Sequence, residues 1–472
     1  MKRLAVLALV VLAGCTAGPD YRRPDAPVAP MYRDASGPAP DAAAPWWTMF
    51  QDPALDALET RAMAANLSIE QALARLDQAR AAARGAAAAR LPSGSIDASA
   101  ARETQSLNAG LGQLSRYVPL FDAIPGAPNS SGLNRTVDNF LVQSGVSWDI
   151  DFAGGLARQA QAARADAAGA AAGVAAARLS VSAELADAYV AWRGAAAQRA
   201  QVVALDAILR RQVETMAVRV RLGVATPQRL DELRARESQT AAGLPLLAAT
   251  VEAERNRIAV LVGASPSLPL AELAPGAVPV ADGFGAGVPA DLLRQRPDVA
   301  LAEDRLVAAN ARIGAALSEY WPKLTLSALI GLNSATAGTL FTGDSGVAQG
   351  AAGLHWRLFD FGRVDAEVRG ARGATREALA AWRAAVLMAS EDVETGFARA
   401  QAASAQVAAL AARRDALAAA ARAADAALAS GQISRDADLD AQAALTAAAA
   451  DLTAAQADSA RAAIVARRAL GH

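Results

Sequence analysis

Residues 147–161 read "SWDIDFAGGLARQAQ" and residues 355–369 read "HWRLFDFGRVDAEVR". Trp148 matches Trp356 and Gly154 matches Gly362, both 208 positions apart, and further on Gly223 matches Gly431 at the same spacing. A shared offset marks a duplicated unit, which sets the architecture before any single element is read. Upstream the copies align differently: Pro92 in "ARLPSGSIDAS" matches Pro322 in "EYWPKLTLSA", 230 positions apart. The first copy therefore carries about 22 extra residues, within the stretch "LGQLSRYVPLFDAIPGAPNSSGLN". Its Gly, Pro, Ser and Asn content reads as an exposed loop. Each copy reads helix, proline, strand, loop, strand, glycine, long helix, glycine turn, helix.

The strands carry a period of two. In the second, Phe140, Val142, Val146, Trp148 and Ile150 alternate with Gln143, Ser147, Asp149 and Asp151. In the third, Leu324, Leu326, Ala328, Ile330 and Leu332 share one face. The fourth is read as ending over Leu354–Phe359, and the first, "SGSIDASA", alternates weakly. A soluble sheet with one wet face alternates in the same way; strand lengths near ten residues, together with an export signal, favour strands crossing an outer membrane. Four strands cannot close a barrel, and an open edge in lipid strands backbone polar groups. The chain must share a barrel with copies of itself, in a number this argument does not fix.

From Gly154 to Arg221 and from Gly362 to Ser430 no proline interrupts runs rich in Ala, Arg, Gln, Glu and Leu, so each reads as one helix roughly 100 Å long. Gly223 and Gly431 suit the left-handed turn that stops a helix. Return helices follow over 227–262 and 434–470, the first expected to bend at Gly243 and Pro245. Such helices alone would also suit a structural coiled-coil lipoprotein, but that alternative predicts no transmembrane strands.

The chain has 472 residues, 53% hydrophobic but only 4% aromatic, so its cores are built from small side chains. With 46 basic and 47 acidic residues spread without blocks, it lacks the basic footprint of a nucleic-acid binder. The single cysteine, Cys15, excludes an internal disulfide. It ends "MKRLAVLALVVLAGC", a basic start, a short apolar run and small residues, which is a secretory signal too short to span a membrane. Leu12 to Cys15 resembles the bacterial lipobox, in which the cysteine is lipid-modified and becomes the mature first residue. Thr16 after it, rather than Asp, implies the outer membrane. The expected organisation is a signal peptide over 1–14, a lipidated segment over 15–66 packing on the helices, a first repeat over 67–262, a Pro/Gly-rich connector over 263–290 and a second repeat over 291–472.

"PWWTMFQDPALDALETRAMAANLSIEQALARLDQARAA", "LLRQRPDVALAEDRLVAANARIGAALSEYWPKLTLSA" and "WRLFDFGR" closely resemble the TolC-like outer-membrane factors, in the lipoprotein branch typified by OprM and the NodT group. The tract from Arg296 to Leu326 is the most specific part. The resemblance implies a mainly α fold with a membrane β-barrel portion: a homotrimer in which each chain gives four strands to one twelve-stranded barrel and its helices to a periplasmic tube. It implies an exit duct for a tripartite pump, joined by a periplasmic adaptor to an inner-membrane transporter, commonly of the resistance-nodulation-division type. It maps adaptor contact onto Arg221, Leu222, Gly223, Val224 and Ala225, and onto Ser430, Gly431, Gln432 and Ile433.

The family's "LDAQ" pattern lands on Leu439 to Gln442, which makes Asp440 the matched candidate for an acidic constriction, with Asp436, Asp438 and Arg435 beside it. In the implied trimer, three copies of the Asp440 carboxylate brought together would repel and favour cations. Asp436 also suits the first turn of the returning helix, where the dipole favours an acid. Arg435 departs from the family, where an aromatic is common, as does "TPQRLDEL" after Gly223.

Trp148 and Trp356 read as lipid-facing or girdle aromatics. His355 and His472 are too few and too separated for a metal site or a triad. No enzyme activity and no cofactor beyond the covalent lipid on Cys15 is expected.

Overall fold

The structure, a computed structural model, describes residues 16–25, 45–104, 106, 136–281 and 296–471. Cys15 with its signal segment, the extra loop of the first copy, part of the connector and His472 lie outside the described residues. Among these residues the elements are α1 (Pro53–Ala65), α2 (Leu67–Ala88), β1 (Ser93–Thr104), β2 (Thr136–Ile150), α3 (Gly155–Arg221), α4 (Pro227–Leu261), α5 (Pro297–Ser318), β3 (Lys323–Ser334), β4 (Gly346–His355), α6 (Arg363–Ala429) and α7 (Arg435–Leu470). The expected helix limits hold to within a residue or so, and α4 continues through Pro245. No described helix is long and apolar enough to cross a membrane.

Two compact units cut across the two sequence repeats. One comprises Met1–Arg22, Arg80–Ala165 and Val307–Arg376; the other comprises Arg23–Ala79, Asp166–Leu306 and Glu377–His472. Each repeat gives its strands to the first unit and most of its helical residues to the second.

In the first unit the strands form one antiparallel sheet in the order β1-β2-β3-β4. Its register carries the alternation through all four strands. Val142 stands opposite Ala98 and Leu332, Trp148 opposite Leu326, and Leu326 opposite Ala352. The other face joins Gln143 to Asp97, Ser147 to Ser327, and Lys323 to His355.

The last strand differs from the sequence expectation. β4 is the small-residue run "GVAQGAAGLH" and stops at His355, so Trp356–Phe359 lie beyond it. The cause is the partner: β3 begins at Lys323, immediately after Pro322, and no ladder extends past the Lys323–His355 pair. Proline has no N–H to offer. Gly and Ala have weak strand preference of their own, so β4 exists because β3 presents an edge to it.

The duplication reappears as duplicated hydrogen bonds. Trp148 Nε1 donates to the Arg90 carbonyl and Trp356 Nε1 to the Tyr320 carbonyl, both at 3.0 Å. Arg90 and Tyr320 are themselves 230 positions apart, so both tryptophans tie a strand end to the helix-to-strand junction of its own repeat. Asp151 then caps α3 through the amides of Leu156 and Ala157, and Asp360 caps α6 through those of Gly362 and Val364. The last two amides hold the Asp360 carboxyl below its usual range.

The second unit is built around α1, the middle of α3 and the ends of α4 and α7. Trp46, Phe50, Leu55 and Leu58 pack with Val181, Leu185, Tyr189, Ile258 and Ile464 in one buried cluster. Full burial of such side chains stabilises by about 1.5–3 kcal/mol each. Asp52 caps α1 and also receives Tyr189 Oη at 2.8 Å and Arg193 Nη2 at 3.2 Å. The repeats are matched here too. Asn66 Nδ2 donates to the Leu261 carbonyl and Arg296 Nη1 to the Ala469 carbonyl, near the ends of α4 and α7. Arg296, from the "RPDV" stretch, also grips Asp298 and Asp392 at 2.8 and 2.9 Å.

Candidate functional site

The two helix tips share one geometry. At the end of α3, Leu222 N–H donates to the Val218 carbonyl, Gly223 N–H to Val220 and Val224 N–H to Arg219, each at 3.0 Å. At the end of α6, Ser430, Gly431 and Gln432 repeat these bonds to Ala426, Leu428 and Ala427 at 3.1, 3.0 and 2.8 Å. Gly223 and Gly431 have φ of +71° and +69°, with nothing within 4 Å of a Cβ at either position. Backbone conformation, not crowding, selects glycine there.

With the helix carbonyls satisfied internally, the side chains are left outward. Leu222 is 71% and Val224 63% exposed. Arg221, Ser430 and Gln432 are exposed, whereas Ala225 and Ile433 are half-buried. Ala225 packs on the small core formed by Met216, Leu230 and Leu233.

The acids following the second tip have three distinct surroundings. Asp440 is exposed and accepts Gln212 Nε2 from α3 at 2.8 Å. Asp436 is half-buried in an ion pair with Arg219, also from α3. Asp438, grouped with them in the sequence, is fully buried and accepts Gln442 Nε2 at 3.0 Å and Arg435 Nη1 at 3.3 Å. It therefore offers no surface carboxylate in the chain. Ser434 caps α7 by accepting the Ala437 amide at 3.3 Å.

Gln212 and Arg219 carry no local signal in the sequence. They stand more than 200 positions from their partners, and only the packing of α3 on α7 brings them together.

At the sheet, the described residues leave the apolar face of β3 uncovered, with Ile330 69% exposed. Trp148 and Trp356 are likewise exposed while their indole N–H groups are bonded inward to carbonyls. Among the described residues no group of His, Cys, Asp and Glu could hold a metal ion.

A second feature absent from the sequence reading is the seat of residues 16–20. Ala17 N–H donates to the Ala153 carbonyl at 3.0 Å. The nearly buried Arg158 reaches the Ala17 and Gly18 carbonyls at 3.0 and 3.2 Å and Asp20 at 2.8 Å. A Cβ at Gly314 would stand 2.4 Å from the Ala17 carbonyl oxygen, and one at Gly154 2.8 Å from Thr16 Cα. Glycine at both positions lets the strap lie against the helices.

Comparisons with known proteins agree with this geometry. The toluene efflux pump outer membrane protein TtgF of Pseudomonas putida is 28% identical over 377 residues, covering 76% of this chain and 74% of TtgF. Nodulation protein T of Rhizobium leguminosarum bv. trifolii is 27% identical over 415 residues, covering 85% and 82% of the two chains. The solved outer-membrane channel OprN superposes with a TM-score of 0.83 at 28% identity, over 97% of this chain and 99% of that one. The family model described as outer membrane efflux protein matches residues 58–264 and 288–472. With that match covering most of its length, the chain belongs to the outer membrane efflux protein family.

Proposed function

We propose that the chain is the outer-membrane exit duct of a tripartite export system, passing small molecules received from an inner-membrane transporter through a periplasmic adaptor. The observation that carries this reading is the sheet: four antiparallel strands with one apolar and one polar face, joined to two long helices. In a trimer, three such sheets supply the twelve strands of one barrel, with the polar faces lining the lumen and the helices forming the periplasmic tube. Conduction is passive and the chain performs no bond chemistry. Cys15 carries the lipid anchor, and Trp148 and Trp356 stand at the membrane boundary.

The tips present Leu222 and Val224 to the adaptor, with Arg221, Gly223, Ala225 and Ser430 to Ile433 around them. The constriction is assigned to Asp440, with Asp436 and Arg435 adjoining it. Asp438 acts beneath them, holding the first turns of α7. TtgF is named for a toluene efflux pump. The substrates of this chain are set by the transporter it serves, which we assign to the resistance-nodulation-division type.

Current through the purified protein in planar bilayers tests the reading. The partly exposed Arg219–Asp436 pair and the Gln212–Asp440 bond together hold α7 to α3 by about 1–2 kcal/mol. Removing both, as Arg219→Ala with Gln212→Ala, is expected to raise the open fraction roughly tenfold. Silence in both the native protein and the double variant would overturn the channel assignment.

A further inference from the structure

Beside the strap lies a groove of about 510 Å³, of a size that takes small-molecule ligands. Thr16 forms part of its rim. The apolar walls are Leu91, Trp148, Ile150 and Phe152, and Arg90, Arg164 and Asp151 place charged groups of both signs along them. Leu91 is 65% exposed, and Trp148 and Phe152 are exposed too, so the apolar part of the groove is left uncovered by the chain's own described residues. Trp148 and Ile150 belong to the apolar face of β2, which makes the groove continuous with the membrane-facing side of the sheet.

The strap fixes what reaches it. Arg158, Gly154 and Gly314 hold Thr16 to Gly18 against the helices, and the Cα of residue 15 is about 3.8 Å from that of Thr16 by covalent geometry alone.

We propose that this groove seats an acyl chain borne by Cys15 of the same polypeptide, so that the lipid anchor docks on the protein as well as in the bilayer. The inference rests on the lipoprotein reading above. Transfer from bilayer to groove gains no apolar burial, since lipid tails are more apolar than the mixed groove walls. What favours occupancy is the tether, which keeps the chain at high effective concentration beside its site. The two arginines can donate to the ester carbonyls of the cysteine-borne lipid.

The test uses full-length protein from cells fed a fatty acid bearing a diazirine and an alkyne, irradiated in its membrane and mapped by peptide mass. Label on residues 87–91 and 148–157 is expected, falling about tenfold in Phe152→Asp and in Leu91→Asp, where a carboxylate faces the acyl chain. An unmodified residue 15 in the N-terminal peptide overturns the lipoprotein reading itself. A modified residue 15 with label confined to other lipids overturns the groove and leaves the anchor standing. Undiminished label in both Asp variants also overturns it, as does equal label in Cys15→Ser exported behind an ordinary signal, which would assign the groove to free phospholipid.

Discussion

Ile330→Arg is expected to block assembly of the chain into the outer membrane, whereas Ser327→Arg, on the same strand, is expected to assemble normally. The two positions differ only in face. Ile330 sits near the middle of β3 among Leu326, Ala328 and Leu332, with Ala348 and Ser144 opposite. Ser327 lies on the polar face between Ser147 and Ala351. A cationic side chain on the lipid face of a barrel costs about 2–4 kcal/mol at the bilayer midplane, repeated in every copy sharing the barrel. In the lumen the same group stays hydrated and alters ion selectivity instead. Heat-resistant oligomer in outer-membrane fractions reads the first effect, and bilayer selectivity the second. Equal assembly of both variants would remove the membrane assignment of the sheet.

Glu59→Gln is expected to abolish a pH dependence of stability that the native chain carries between about pH 4.5 and 9. Glu59 is fully buried in the second unit, and neither carboxyl oxygen completes a hydrogen bond of normal geometry. Burial pushes its carboxyl up to about 9, with Ser182 opposing the rise and Asp56 adding to it. Above pH 4.5 the unfolded chain releases this proton while the folded chain keeps it. The folded state then binds the extra proton, so stability falls as pH rises through that window. By pH 7 the difference reaches about 3 kcal/mol. The amide of Gln keeps the shape without the titration, so the variant should be the more stable protein at pH 8 and nearly level with the native one at pH 5. Melting curves at the two pH values decide it; parallel losses in both proteins would mean that Glu59 does not titrate as its burial requires.

Both results probe positions of different legibility. Ile330 belongs to an alternation written in consecutive residues, and its face follows from a period of two. Glu59 gives no such notice in "ALDALETRAMAA", where it reads as an ordinary helix-surface acid. Its burial depends on how α1 lies against Val181 to Tyr189 of α3, more than 100 positions away. Asp438 is similar. Next to Asp436 and Asp440 it is one of three acids near the start of a helix, yet it alone is fully buried.

What the sequence determined by itself is whatever a few neighbouring residues encode: the duplicated order of elements, the long helices, the glycine tips and the two faces of the central strands. Helix periodicity, strand alternation and a left-handed glycine are local constraints, and they survive any later packing. Tertiary structure alone decided the position of β4, the Gln212 and Arg219 partners of the acids, and the Arg158 clasp on the strap. β4 lacks a preference of its own and forms on the edge of β3, while each of the other contacts joins residues 138 to 228 positions apart. Their energies come from hydrogen bonds and charge pairs that exist only after the helices dock, so no local pattern can announce them.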